Sequence, residues 1–378
     1  MIYFDNAATT LQKPVEVVRA VTDALTSFGG VGRGVHGASL AAGMGVYQAR
    51  EQLAALFGAP NASCVAFASN VTEALNTALL GLLGPGDHVV TTAASHNSML
   101  RPLYRLREQG VELDIVPIFA DGSLDYAALE AAFRPNTKVL AVNHASNLTG
   151  DVYDLDRMVA IAHAHDAIVV LDAAQTAGVI PINMSAQGID VLCFTGHKSL
   201  YGPQGTGGLC VMPGIDIRPL KVGGSGTHSF DERHPAFMPE HLEAGTLNGH
   251  GIMGLATGVN FVHATGVDAI HAKELELVRR LETGLSEIPG AKTYGGPAAS
   301  RVGVVAMNLS SADSGEVATI LNSEYGICTR AGAHCAPLMH ESLGTTEQGA
   351  VRFSFSWYNT PEEVDAALLA LRQIAQRF

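Results

Sequence analysis

Seven short apolar runs, separated by stretches of helical spacing, constrain this chain more than any other feature. They lie at 64–68, 88–92, 112–117, 138–143, 168–172, 190–195 and 208–212. Helical patterns fill most of the gaps, at 72–83, 98–109, 125–133 and 154–165. An apolar run without polar alternation is a strand buried on both faces. Strands that alternate with helices pair in parallel, because each parallel step needs a crossover long enough to hold a helix. The expectation is an α/β fold: a large domain with a mainly parallel seven-stranded sheet, covered on both faces. An early helix from Pro14 to Phe28, with proline in its first turn, and an irregular loop at 29–37 precede it. After Gly254 the pattern changes to a helical stretch over 253–288, a strand at 302–309, a helix at 313–325, strands near 327–330 and 351–356, and a closing helix at 361–377. This predicts a large domain over 15–253 and a smaller C-terminal α/β domain over 254–378, with residues 1–14 packing against the smaller one.

Composition narrows the function classes. The net charge of −13, with no basic run, argues against binding nucleic acid through phosphate neutralisation or docking on anionic membranes. No apolar run reaches the ~18 residues of a membrane span. The five cysteines are odd in number and form no C-x-x-C, so neither a disulfide framework nor a structural metal site is expected. The opening residues Met1-Ile2-Tyr3-Phe4-Asp5-Asn6 lack a basic stretch followed by an apolar one. A cytoplasmic location is the expectation.

Several motifs place reactive groups where α/β proteins bind ligands, at the carboxyl ends of strands. In Val169-Val170-Leu171-Asp172-Ala173-Ala174-Gln175 a carboxylate ends an apolar run. It reads either as a helix cap or as the partner of a buried cation. In Phe194-Thr195-Gly196-His197-Lys198 a lysine follows the next such run. It is either a solvated lysine or an amine placed to form an imine. Asp172 and Lys198 are one crossover apart, close enough to reach one pocket. Ala68-Ser69-Asn70-Val71-Thr72-Glu73 opens a helix whose free N–H groups suit a phosphate, though a plain cap looks the same. His96 follows a strand end and fits either a cap or a ring that stacks on a flat cofactor and shuttles a proton. Thr329-Arg330-Ala331-Gly332-Ala333-His334-Cys335-Ala336-Pro337 reads as a mobile loop carrying a cysteine, with His334 as a cation that would favour the thiolate. Arg352, alone on an apolar strand, needs an anion: a substrate carboxylate or a structural carboxylate.

Together these motifs resemble the cysteine desulfurase and selenocysteine lyase family, within the fold-type I pyridoxal 5′-phosphate (PLP) enzymes of the class V aminotransferase group. The resemblance runs from Tyr3-Phe4-Asp5-Asn6-Ala7-Ala8-Thr9-Thr10 to Tyr358-Asn359-Thr360-Pro361. It implies PLP held by Lys198 as a Schiff base, with Lys198 also moving the substrate α-proton. Asp172 is then the partner of the pyridine nitrogen, Gln175 the donor to the phenolate oxygen, and His96 the stacking ring. Val71, Thr72, Thr195 and His197 fall among the cofactor-binding positions. Thr246, in Glu243-Ala244-Gly245-Thr246, matches a phosphate contact lent across a homodimer interface. Asn147, Arg352, Arg330 and His36 match substrate-binding positions, and Cys335 the persulfide-forming cysteine. The implied substrate is L-cysteine or L-selenocysteine, with an acceptor protein for sulfur or selenium as a further partner.

Three departures stand out. Thr195 replaces a more usual serine, the cysteine loop is short and lacks a serine-rich extension, and Asn97 occupies a position where members differ. The leading reading is a cysteine desulfurase that gives L-alanine and a persulfide on Cys335. A selenocysteine lyase is the alternative. An aminotransferase of the same fold, or a non-catalytic sulfur-relay subunit, would not need this lysine, aspartate and cysteine together.

Overall fold

The computed structural model describes residues 1–32, 34–297 and 300–378. Arg33, in the glycine-rich loop read at 29–37, lies outside the described residues. The seven apolar runs form one sheet, in the order Val65–Ala68, Gly207–Val211, Val191–Thr195, Ile168–Asp172, Thr137–Asn143, His88–Thr92, Glu112–Val116. Only Gly207–Val211 runs against its neighbours; the remaining pairs are parallel. Its antiparallel course follows from a connection of eleven residues after Thr195 that carries no helix.

Successive residues along each central strand feed opposite cores. Leu140, Val142, Val169 and Leu171 pack on one face with Leu53 and Phe57. Val139, Ala141 and Val170 pack on the other with Leu75 and Leu79. This two-residue period is why the strands read as unbroken apolar runs.

The C-terminal region builds a four-stranded antiparallel sheet in the order Arg330–Gly332, Ala350–Ser354, Val304–Leu309, Ala291–Tyr294. Helices Val267–Ser286, Ser314–Tyr325 and Pro361–Ala375 pack against it through Leu281, Leu321 and Leu371. The chain's first residues join this region: Ile2–Tyr3 pairs in parallel with Ile327–Cys328, and Phe4 is fully buried between Phe353 and Phe355.

The structure amends several boundaries. The stretch 253–288 is two helices, Gly249–Thr265 and Val267–Ser286, parted at Gly266, whose φ of +90° breaks a helix. The division expected at 253/254 falls inside the first of these, which packs on Val15–Ser27 and Gly37–Phe57. Helix Gly37–Phe57 was not legible in the sequence: Gly43 and Gly45 interrupt its pattern, and His36 offers it no side-chain cap. Strand Ala291–Tyr294 and helix Pro337–Leu343 also went unread. No helix among the described residues is long and apolar enough to cross a membrane.

Candidate active site

Parallel strands end in register, so polar residues at their carboxyl ends gather on one rim. Asn143 and Asp172 are direct register partners at the ends of adjacent strands. The next strand, Val191–Thr195, runs on through Gly196 and His197 to Lys198. Above this rim lies a small cleft lined by Val71, His96, Ser98, Asn143, Asn147, Asp172, Gln175 and Lys198. The structure therefore brings together the aspartate, lysine, glutamine and histidine singled out from the sequence.

Asp172 is 5% exposed, and its Oδ1 accepts a hydrogen bond from the Ala174 N–H at 2.9 Å. Burial raises its pKa, opposed by that N–H and by the positive charge of Lys198. Lys198 shows the reciprocal effect. Burial pushes its pKa down to about 8, Asp172 acts to raise it, and Arg352 and Arg330 lower it further. An amine with that pKa is neutral in about a tenth of molecules at pH 7, enough to act as a nucleophile or base.

His96 caps helix Asn97–Glu108: its Nδ1 accepts from the Ser98 N–H at 3.0 Å and lies 2.9 Å from Ser98 Oγ. Burial, then the charges of Lys198, Arg330, Arg352 and Arg101, hold its pKa down to about 4. The ring is neutral at pH 7, and the accepting Nδ1 leaves the proton on Nε2. Ser98 Oγ in turn lies 2.8 Å from Thr72 Oγ1, in the first turn of helix Val71–Leu82. Asn70 caps that helix through the Glu73 N–H at 3.0 Å.

Two buried polar atoms beside Lys198 have no hydrogen-bond partner, Thr195 Oγ1 and His197 Nδ1. Burial, Lys198 and Lys13 push the His197 pKa down to about 4. An unsatisfied buried donor or acceptor costs about 1–3 kcal/mol, so such atoms point to a polar ligand. An amine, a buried carboxylate and this threonine–histidine pair form a donor set that fits an aldehyde, a pyridine ring and a phosphate. Gln175 Nε2 donates to the Ala7 carbonyl at 3.2 Å.

Arg352 is 1% exposed and has the structural carboxylate that was one of its two readings. Its Nη2 donates to Asp5 Oδ1 at 2.8 Å and its Nη1 to the Asn147 carbonyl at 2.9 Å. Its Nε is buried without a partner, so at least that donor is left for a ligand. Arg330 is its register partner on the adjacent strand.

The cysteine loop departs from expectation in two ways. It is anchored rather than free: the Asn97 N–H donates to the Cys335 carbonyl at 2.8 Å, and Asn147 Nδ2 to the His334 carbonyl at 2.7 Å. His334 and Cys335 hold consecutive left-handed conformations, with φ of +51° and +56°, a strain of about 1–3 kcal/mol each. Nor is His334 a cation. Burial, followed by Arg352, pushes its pKa down to about 3, so it offers no positive charge to a thiolate at neutral pH. It stacks on His340 instead, with centroids 6.0 Å apart.

Thr72, Thr195, His197, Arg330, Arg352 and Cys335 do not themselves line the cleft, and two further expected residues lie apart from it. Thr246 is exposed and borders a separate groove with Phe67, Ser69, Glu73 and Lys221. His36 is exposed just before helix Gly37–Phe57, 3.4 Å from Ser39 Oγ. Sequence reasoning missed Asn143 and Ser98. Asn143 carried the same signal as Asp172, a polar residue ending an apolar run; Ser98 carried none beyond its closeness to His96.

The class-V aminotransferase profile matches residues 2–367. The chain belongs to the class-V aminotransferase family. A probable cysteine desulfurase from Methanothermobacter thermautotrophicus is 35% identical, with 99% of this chain and 94% of that one covered. A cysteine desulfurase from Escherichia coli O127:H6 is 33% identical over 99% and 93% of the two chains. The apo structure of a cysteine desulfurase from Thermococcus onnurineus NA1 superposes with a TM-score of 0.94 at 35% identity, over 100% of this chain and 95% of the other.

Proposed function

We propose that the protein is a PLP-dependent cysteine desulfurase that takes sulfur from L-cysteine onto Cys335 and releases L-alanine. The observation that carries this reading is the pairing of Lys198 and Asp172 in one cleft, with Cys335 tethered by the Asn97 N–H beside His96. When bound, PLP supplies an aldehyde for a substrate amine and a ring that stores electrons. Lys198 would hold that aldehyde, Asp172 the ring nitrogen, Gln175 the phenolate oxygen, and Thr72, Thr195 and His197 the phosphate, with Val71 and the neutral His96 against the ring.

The chain's own groups then divide the work. Arg352, through its unpartnered Nε, Arg330 and Asn147 orient the substrate carboxylate. Lys198, with its depressed pKa, moves the proton at the substrate Cα. The Cys335 thiolate attacks the substrate sulfur. An S–S bond forms, the Cβ–S bond breaks with its electron pair left on carbon, and a proton there completes alanine. His96, neutral and with its proton on Nε2, is the histidine beside the loop that lines the cleft.

A homodimer accounts for Thr246 and His36, which face away from their own cleft. Leu40, Met44 and Tyr47, all more than half exposed, recur along helix Gly37–Phe57 as an apolar face that a second copy would cover. An acceptor protein for the persulfide and a cytoplasmic location complete the proposal. The test is alanine release from L-cysteine and L-selenocysteine at equal concentrations. Faster kcat/KM with L-cysteine supports the desulfurase; preference for L-selenocysteine makes the protein a selenocysteine lyase. Amino transfer to a keto acid without alanine release overturns both.

A further inference from the structure

The segment Asp5–Lys13 is buried against the site at three places. The His197 carbonyl, directly before Lys198, accepts from the Thr10 N–H at 3.0 Å, Thr9 Oγ1 at 3.2 Å, Thr10 Oγ1 at 3.0 Å and Lys13 Nζ at 3.0 Å. A carbonyl has two lone pairs, so these donors share it, and Thr10 Oγ1 also lies 3.1 Å from the Lys198 carbonyl; the segment is thus held against the lysine-bearing loop. The Ala7 carbonyl accepts from Gln175, and the Ala7 N–H donates to Ser354 Oγ at 2.9 Å. At its start, Asp5 forms a parallel bridge to Ser354, two residues beyond Arg352 on the same strand.

Asp5 Oδ1 accepts from Arg352 Nη2 at 2.8 Å, and the ion pair is 22% exposed on the aspartate side and 1% on the arginine side. Arg352 is the register partner of Arg330 across the strand pair, so two arginines share one register position. Like charges placed opposite one another repel and splay. Asp5 is the carboxylate that counters this, while the Asn147 carbonyl holds the other terminal nitrogen and Nε stays unpartnered. A guanidinium gripped at both terminal nitrogens has its orientation set before any ligand arrives.

We propose that Asp5 is a positioning residue: it clamps Arg352 so that the free Nε is aimed at the substrate carboxylate, and the segment fastened to His197 ties that aim to the position of Lys198. The inference rests on the assignment of Arg352 to substrate-carboxylate binding. Asp5 does not touch substrate and takes no part in proton or sulfur transfer.

The experiment compares the wild-type holoenzyme with Asp5→Asn, which removes the charge, and Asp5→Glu, which keeps the charge but displaces it. Two quantities are read: the steady-state KM and kcat for L-cysteine, and the dissociation constant of L-alanine from its perturbation of the cofactor's visible absorbance. The second needs no turnover, so it tests Asp5 even where L-cysteine is not the substrate. Positioning predicts that both variants raise KM and the L-alanine dissociation constant about tenfold, with kcat within about threefold. The unliganded absorbance and its pH titration stay as in wild type. If Asp5 instead competes with the substrate for Arg352, Asp5→Asn tightens L-alanine, and the proposal is overturned. Full recovery in Asp5→Glu overturns it too, since charge alone would then suffice. A parallel loss of kcat, cofactor absorbance and melting temperature in both variants reduces Asp5 to a folding role.

Discussion

Glu274 offers a test of the structure that is independent of catalysis. It lies in helix Val267–Ser286, 2% exposed, with Oε1 lacking any partner and with the Gly303 N–H as its only favourable contact to the charged form. Burial pushes its pKa up to about 8. Among the described residues no cation compensates, and Glu274 adds to burial in raising the pKa of the Tyr201 phenol. A carboxyl whose folded pKa is raised contributes full stability below its unfolded value near 4.5 and loses it as pH climbs to the folded value. At pH 8 and above the cost of holding this group in the fold is about 5 kcal/mol by linkage, and relaxation around the site brings it lower. Glu274→Gln removes the titration while keeping the shape and an acceptor for Gly303. The expected result is a difference in melting temperature between variant and wild type that grows in the variant's favour between pH 5 and 8.5, the depressed histidines contributing equally to both. Denaturant midpoints at pH 5.5, 7 and 8.5 measure the same difference as free energy. If wild type and Glu274→Gln keep parallel pH profiles, Glu274 ionises at its ordinary pKa and the buried-acid argument fails.

Other outcomes follow from the site. Capture of PLP by the apoprotein should accelerate with pH and level off above about 8, because burial makes the Lys198 amine neutral there; Lys198→Ala should abolish capture, and reduced cofactor found on another lysine would refute the assignment. Cys335→Ala should stop sulfur transfer from L-cysteine, since the departing sulfur then has no acceptor, while sparing selenium release; unchanged desulfuration would remove Cys335 from the mechanism. Arg352→Lys should raise KM for L-cysteine by about tenfold or more, because a compact ammonium lacks the planar fork that spans Asp5, the Asn147 carbonyl and a carboxylate; an unaltered KM would show that the carboxylate binds elsewhere. Placing charge on the exposed stripe, Leu40→Glu with Met44→Glu, should shift sedimentation from dimer to monomer and lower activity; a wild-type monomer with full activity would end the dimer proposal.

The local sequence determined the large sheet almost completely. A strand buried on both faces has no choice but to be apolar throughout, so Val139–Val142 and Val169–Leu171 announce themselves. The same logic exposes Asp172 and Lys198: a charge at the end of such a run is costly unless it has chemistry to do or a partner to meet. Helix Gly37–Phe57 escaped because glycines blur its period and its stability comes from packing on Gly249–Thr265 rather than from its own caps. The protonation of His334 escaped because it is set by burial and by Arg352, which comes from another strand. The anchoring of Cys335 depends on Asn97 and Asn147, far away in the chain, and the clamp on Arg352 on Asp5, at the opposite end. Periodicity is a property of neighbours along the chain and can be read there. Desolvation, pairing of charges and the aim of a donor are properties of neighbours in space, and only the folded chain decides them.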